Sequence, residues 1–214
     1  MHDNVFHLPI WFDLGATFLF ALTGAIAATK RGYDIVGVFF LALSSGLGGA
    51  LIRDSVFIRA STPTPVLTDP RYIALVAIAA VLGALFGRFI KPFHRVIALI
   101  DAVGLGAYAV FGVQKSLSAG LAIPAALLVG VINAAGGGVL RDIITREEPL
   151  AFKPGQFYVL TALVGAVLFV VLTVQTHLDA TQAAGFAIGF TFIFRSLTIL
   201  FNWRTTPLAP QSDT

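Results

Sequence analysis

The chain has 214 residues, 57% hydrophobic and only 12% charged, with a formal net charge of +3. A soluble domain carries about 25% charged residues, so no water-facing surface can be built here; a soluble enzyme or nucleic-acid binder is excluded and a polytopic membrane protein remains. The absence of cysteine removes disulfides, thiolate nucleophiles and thiolate metal sites.

No Lys or Arg precedes Lys30, so Met1-His2-Asp3-Asn4 lacks the positive start of a secretory signal. The first apolar run, 10–28, predicts a retained transmembrane helix carrying Asp13, closed by Lys30-Arg31-Gly32. The second run, 34–58, contains Ser44-Ser45-Gly46-Leu47-Gly48-Gly49 and then Arg53-Asp54; Thr62-Pro63-Thr64-Pro65 ends it. The third, 72–90, holds Gly83 and Gly87 and stops at Lys91-Pro92. The fourth, 96–115, carries Asp101 and is punctuated by Lys115-Ser116. The fifth, 119–144, reads Asn133-Ala134-Ala135-Gly136-Gly137-Gly138 and then Arg141-Asp142. Glu147-Glu148-Pro149 and Lys153-Pro154 predict a solvated turn. The sixth run is 156–176, followed by His177-Leu178-Asp179. The seventh, 180–202, holds Gly185, Gly189 and Arg195, whose side chain is expected to snorkel to the interface. The fold class is therefore all-α: one transmembrane domain of seven helices over 1–214. His2, His7, His94 and His177 lack metal-ligand spacing, so no metal or cofactor is expected.

Loop charge orients the chain. One side holds Lys30, Arg31, Arg88, Lys91, Arg95, Arg146, Lys153 and Arg204; the other holds Arg59, Arg71 and Lys115. Eight against three places the first side in the cytoplasm, with the N-terminus outside and the C-terminus inside. Trp11 and Trp203 stand at opposite ends, where interfacial anchors belong.

Shifted by 88 residues, the sequence matches itself without a gap. Asp13 falls on Asp101, Phe20 on Tyr108, Ala21 on Ala109, Gly24 on Gly112, Gly32 on Gly120, Gly48-Gly49 on Gly136-Gly137 and Arg53-Asp54 on Arg141-Asp142. Repeat one spans about 10–90 and repeat two about 96–176, with 180–202 as an extra helix. Three spans per copy is odd, so the copies enter the membrane from opposite sides, a pattern of transporters and some channels with a path at the repeat interface.

Consecutive glycines cost a helix about 1 kcal/mol each relative to Ala. The two Gly stretches therefore predict a kink or unwound turn in spans two and five, where exposed carbonyls can replace part of a cation's water shell. The other reading is close helix packing through small residues. Ser44, Ser45 and Asn133 beside them can coordinate an ion of either sign or a zwitterion. If span two is centred near 46–47, Arg53 lies about 10 Å toward the outer face, at the depth of Asp13. Asp101 and Arg141 share the matching depth on the cytoplasmic side. Unpaired charges there cost several kcal/mol, so two clusters are expected: Asp13/Arg53/Asp54 and Asp101/Arg141/Asp142. They serve as gates, as structural salt bridges, or as both. No nucleophile–base pair or metal cluster shares one depth, which argues against an intramembrane enzyme. A passive channel and a secondary transporter for a small zwitterion such as an amino acid both fit the repeats.

The Gly-rich stretch ending in Arg-Asp, once per repeat in a seven-span chain, resembles the trimeric intracellular cation (TRIC) channel family in its short prokaryotic branch. The resemblance implies a homotrimer in the cell (inner) membrane, each protomer holding an hourglass pore for monovalent cations, chiefly K⁺. It places the pore along kinked second and fifth helices, which here means Gly46, Gly48, Gly49, Gly136, Gly137 and Gly138.

Overall fold

The computed structural model describes residues 7–59, 63–90, 93–153, 157–176 and 178–203. Of the residues named above, Met1 to Asn4, Thr62, Lys91, Pro92, Pro154, His177 and Arg204 lie outside them. Among the described residues the architecture is all-helical, with seven helices long and apolar enough to cross a membrane. They are α1 (Trp11–Lys30), α2 (Ile35–Ile52), α4 (Pro70–Phe86), α5 (Phe93–Ser118), α6 (Ile123–Ile144), α7 (Tyr158–Gln175) and α8 (Ala180–Leu200). A one-turn helix, α3 (Pro65–Thr68), precedes α4, and a π turn, Arg53–Ile58, continues α2.

Local chemistry sets the helix ends. Asp34 caps α2 by accepting from the Gly37 amide at 2.8 Å, and Asp179 caps α8 by accepting from Thr181 at 2.9 Å. Thr64-Pro65 and Asp69-Pro70 each pair a capping side chain with a proline in the first turn. Asp69 also takes the Arg71 guanidinium, whose hydrogen bonds hold the Asp69 carboxyl below its usual range. After α1 and after α5 the chain turns on a glycine with positive φ, Gly32 at 73° and Gly120 at 85°. In both turns the next amide reaches back to close a Schellman motif: Tyr33 to Ala28 and Leu121 to Ser116, each at 3.1 and 3.0 Å respectively. Gly32 and Gly120 are related by the 88-residue offset.

Two apolar cores result. One joins α1, α2 and α4 through Ala21, Ala25, Leu41, Tyr72 and Val76. The other joins α5, α6, α7 and α8 through Leu105, Ala134, Ala166, Phe169 and Ala187. Small residues dominate both, as expected where close backbone approach rather than expulsion of water holds helices together. Gly83 and Gly87 serve this purpose inside the protomer, resting against Ala25 and Thr29 of α1. Gly185 and Gly189 face open space on α8. Helix α1 packs on both triplets, and α2 crosses α6, which places the ends of α1, α2, α5 and α6 around one central seam.

Candidate functional site

Asp13 is buried in the first turn of α1, and Arg53 and Asp54 sit where α2 gives way to the π turn. Arg53 is fully buried and donates to Asp13 through Nη1 at 3.0 Å and Nη2 at 3.4 Å. The same guanidinium donates to Asp54 through Nε at 2.7 Å and Nη2 at 3.1 Å. The Tyr72 hydroxyl donates to Asp13 at 2.5 Å, and Thr64 donates to Asp54. Lys115 completes the group, its ammonium 2.7 Å from Asp54. Two carboxylates thus face two cations, which makes burial of Asp13, Arg53 and Asp54 tolerable, while Lys115 stays partly exposed at the edge of the cluster. Lys115 was expected as loop punctuation; it lies inside α5, which runs three residues further to Ser118, because the ammonium has a carboxylate partner within reach.

The second cluster repeats the first at the 88-residue offset. Arg141 donates through Nη1 to both Asp101 oxygens at 2.9 Å and through Nε to Asp142 at 2.9 Å. Thr23 of α1 accepts from Nη1 at 3.0 Å, and the Leu150 amide donates to Asp142. A cavity of about 530 Å³ opens beside this cluster; Arg31, Arg95, Arg141, Asp142, Glu147 and Glu148 are among its lining residues. At its rim Arg31 meets Glu147 at 2.6 Å, so the expected solvated turn is held by an exposed ion pair. Arg195 does not snorkel: it is buried, its guanidinium 5.3 Å from the centre of the Tyr158 ring, because α8 packs that face onto α5 and α7.

Between the clusters lie the glycine stretches, and here the unwound turn expected in spans two and five needs correction. Both α2 and α6 run as continuous α-helix through Gly46, Gly48, Gly49 and through Gly136, Gly137, Gly138; neither unwinds. A freed backbone group inside a bilayer costs several kcal/mol, more than the glycine penalty. The glycines instead let the two helices touch. A Cβ on Gly49 would collide with the Asn133 carbonyl, and one on Gly137 with the Ser45 carbonyl. Gly136 rests on the Gly49 backbone, Gly48 against Leu140, and Gly138 under the Tyr158 hydroxyl. Gly46 packs on α1 at Ala21 and its carbonyl accepts from the Tyr108 hydroxyl, which also bonds Thr17 at 2.7 Å. Departure from α-helix occurs one turn later, in the π turn that begins at Arg53. Ser44 is half-buried, whereas Ser45 and Asn133 are fully buried. Ser45 Oγ and Asn133 Oδ1 lack hydrogen-bond partners among the described residues, while Asn133 Nδ2 donates to the Tyr108 carbonyl at 2.7 Å.

Sequence reasoning missed Tyr72, Thr64, Lys115 and Thr23 as members of the clusters. Each had an ordinary local explanation, and only the crossing of helices brings it to a charge. A signal did exist for Lys115 and Thr64, because a second buried carboxylate, Asp54, needs a cation or donor of its own.

The family model described as Glycine transporter matches residues 10–88 and 98–174. A UPF0126 membrane protein of Deinococcus radiodurans is 32% identical over 157 residues, covering 73% of this chain and 72% of that protein. The UPF0126 inner membrane protein YadS of Escherichia coli K12 is 28% identical over 162 residues, covering 75% and 77%. A crystal structure of a TRIC trimeric intracellular cation channel orthologue from Rhodobacter sphaeroides superposes with a TM-score of 0.83 at 31% identity, covering 90% of this chain and 97% of that one. A prokaryotic TRIC channel crystallised in 0.5 M KCl gives a TM-score of 0.80 at 27% identity, covering 89% and 95%.

Proposed function

The chain belongs to the prokaryotic TRIC-like family of UPF0126 membrane proteins, and from that premise we propose that it is a passive, K⁺-permeable cation channel. It sits in the cell (inner) membrane as a homotrimer, N-terminus outside and C-terminus cytoplasmic, with one hourglass path inside each protomer. The path runs from the 530 Å³ cavity past Asp101, Arg141 and Asp142, along the α2–α6 crossing, and out past Asp13, Arg53 and Asp54. The observation that carries this reading is the pair of matched, buried Asp–Arg–Asp clusters, one at each end of a single helix crossing, the second bordering the cavity. Such clusters are costly in a bilayer and mark pathways more often than packing. The unpartnered oxygens of Ser45 and Asn133 near that crossing supply polar groups at mid-depth. Because glycine backbones close the crossing, conduction requires α2 and α6 to separate there.

The closed crossing favours a second reading, a secondary transporter for a small zwitterionic solute such as an amino acid. Inverted repeats suit alternating access equally well. Single-protein bilayer recording separates the two. Discrete unitary K⁺ currents are expected. Silent bilayers, together with saturable, gradient-coupled amino-acid uptake into liposomes, would favour the transporter and end the channel reading.

A further inference from the structure

The helix-crossing and Arg–Asp contacts at the heart of the site recur under the 88-residue offset. Gly49 meets Asn133 as Gly137 meets Ser45, and Arg53 meets Asp13 as Arg141 meets Asp101. One departure touches the two guanidiniums themselves: position 23 and its counterpart 111. Thr23 turns its hydroxyl to Arg141, accepting at 3.0 Å, and donates to the Phe20 carbonyl at 2.9 Å. Phe111 holds the equivalent place beside Arg53, with the guanidinium carbon 5.3 Å from the ring centre. An aromatic face attracts a guanidinium but offers it no acceptor oxygen and no room for water. The donors follow suit. Arg53 sends all three nitrogens to carboxylates, whereas Arg141 uses Nε and Nη1 and lines the cavity together with Asp142.

We infer that the Phe111 ring is a water seal over Arg53, so the Asp13/Arg53/Asp54 end is the dry, closed end of the protomer and the Asp101/Arg141/Asp142 end the hydrated one. The inference rests on the path proposed above and gives it a gate position. A cation arriving from the cavity stays solvated as far as Arg141, then meets a guanidinium whose three nitrogens all donate to carboxylates, and an apolar ring. Residue 111 thus decides where permeation stalls.

The chain has no cysteine, so single reporters can be introduced without background. Thr145→Cys lines the cavity, and Thr64→Cys stands on Asp54. In nanodiscs both faces meet the reagent, so membrane orientation does not enter. A charged methanethiosulfonate reagent is expected to modify Thr145→Cys about tenfold faster than Thr64→Cys, the scale of keeping one apolar side chain out of water. Adding Phe111→Thr, which copies the other repeat, should raise the Thr64→Cys rate about tenfold. Phe111→Leu, still apolar, should leave that rate near the parent's. Fast modification of Thr64→Cys in the parent overturns the seal. So does an unchanged rate in Phe111→Thr that elutes and melts as a folded protein, or an equal rise in Phe111→Leu. If Phe111→Thr does not fold, the parent comparison of the two reporters decides. Potassium flux into liposomes distinguishes the two ideas. Faster labelling with raised flux supports both, while faster labelling with no flux in any variant keeps the seal and removes the channel.

Discussion

Arg53 is the residue on which the outer cluster depends. Two carboxylates and the Phe111 ring flank its guanidinium, which is closed to bulk solvent, so deleting the side chain strands both acids in a low-dielectric site. Arg53→Ala should cost about 3–5 kcal/mol, read as a fall in the detergent unfolding midpoint. Combining it with Asp13→Asn should return part of that loss, and a double-mutant coupling below about 0.5 kcal/mol would show the pair to be independent. Lys115→Ala should cost less than Arg53→Ala, because Arg53 and Thr64 still hold Asp54. At the surface the scale changes. Arg31→Ala, which removes the exposed bridge to Glu147, should shift the midpoint by less than about 1 kcal/mol, an effect that fades in 1 M KCl. Depth arithmetic along single helices was enough to match Asp13 with Arg53 in the sequence. Tyr72 was hidden, because an aromatic in an apolar run looks the same whether or not another helix brings an acid beside it, and Thr64 and Lys115 were signalled only by the need of Asp54 for partners.

At the scale of helices, glycine has opposite meanings in water and in lipid. Its penalty of about 1 kcal/mol per residue was measured where an opened turn can bond to water. Inside a bilayer the opened turn has no such partner, so α2 and α6 stay wound and use the missing side chains for contact. This is why composition correctly located the special stretches and misjudged their form. The difference is measurable. Gly49→Ala and Gly137→Ala should each destabilise the fold by about 1–3 kcal/mol, because a carbonyl of the crossing helix must move. Gly15→Ala on α1, where no atom lies within reach of the added carbon, should leave the thermal midpoint unchanged or slightly raised. The π turn after α2 has no counterpart after α6, whose helix runs on to Ile144. Apolar periodicity cannot reveal a one-residue bulge, so that asymmetry was invisible in the sequence.

For the whole molecule, seven apolar runs and their charged joints were readable because each crossing needs about 20 uncharged residues and each joint needs water. The orientation is open to direct measurement. A fluorescent protein fused after Thr214 should fold and glow in the cytoplasm, and alkaline phosphatase at the same point should be inactive. The reverse result would invert the argument from Lys30, Arg31, Arg88 and their neighbours. The arrangement around the central axis could not be foreseen from span boundaries, since it depends on which helix faces meet. The stacked rings of Phe20 and Tyr108 lie 5.4 Å apart and 12° from parallel, each the other's counterpart under the 88-residue shift. In a pair of identical, unfused subunits, a residue on the dyad touches its own copy, and any substitution changes both partners at once. Fused into one polypeptide, the two rings are written by separate codons. One carries a hydroxyl, which binds Thr17 and the Gly46 carbonyl, while the other is bare. Duplication within a single gene thus permits a polar half and an apolar half at a position that strict symmetry would force to match.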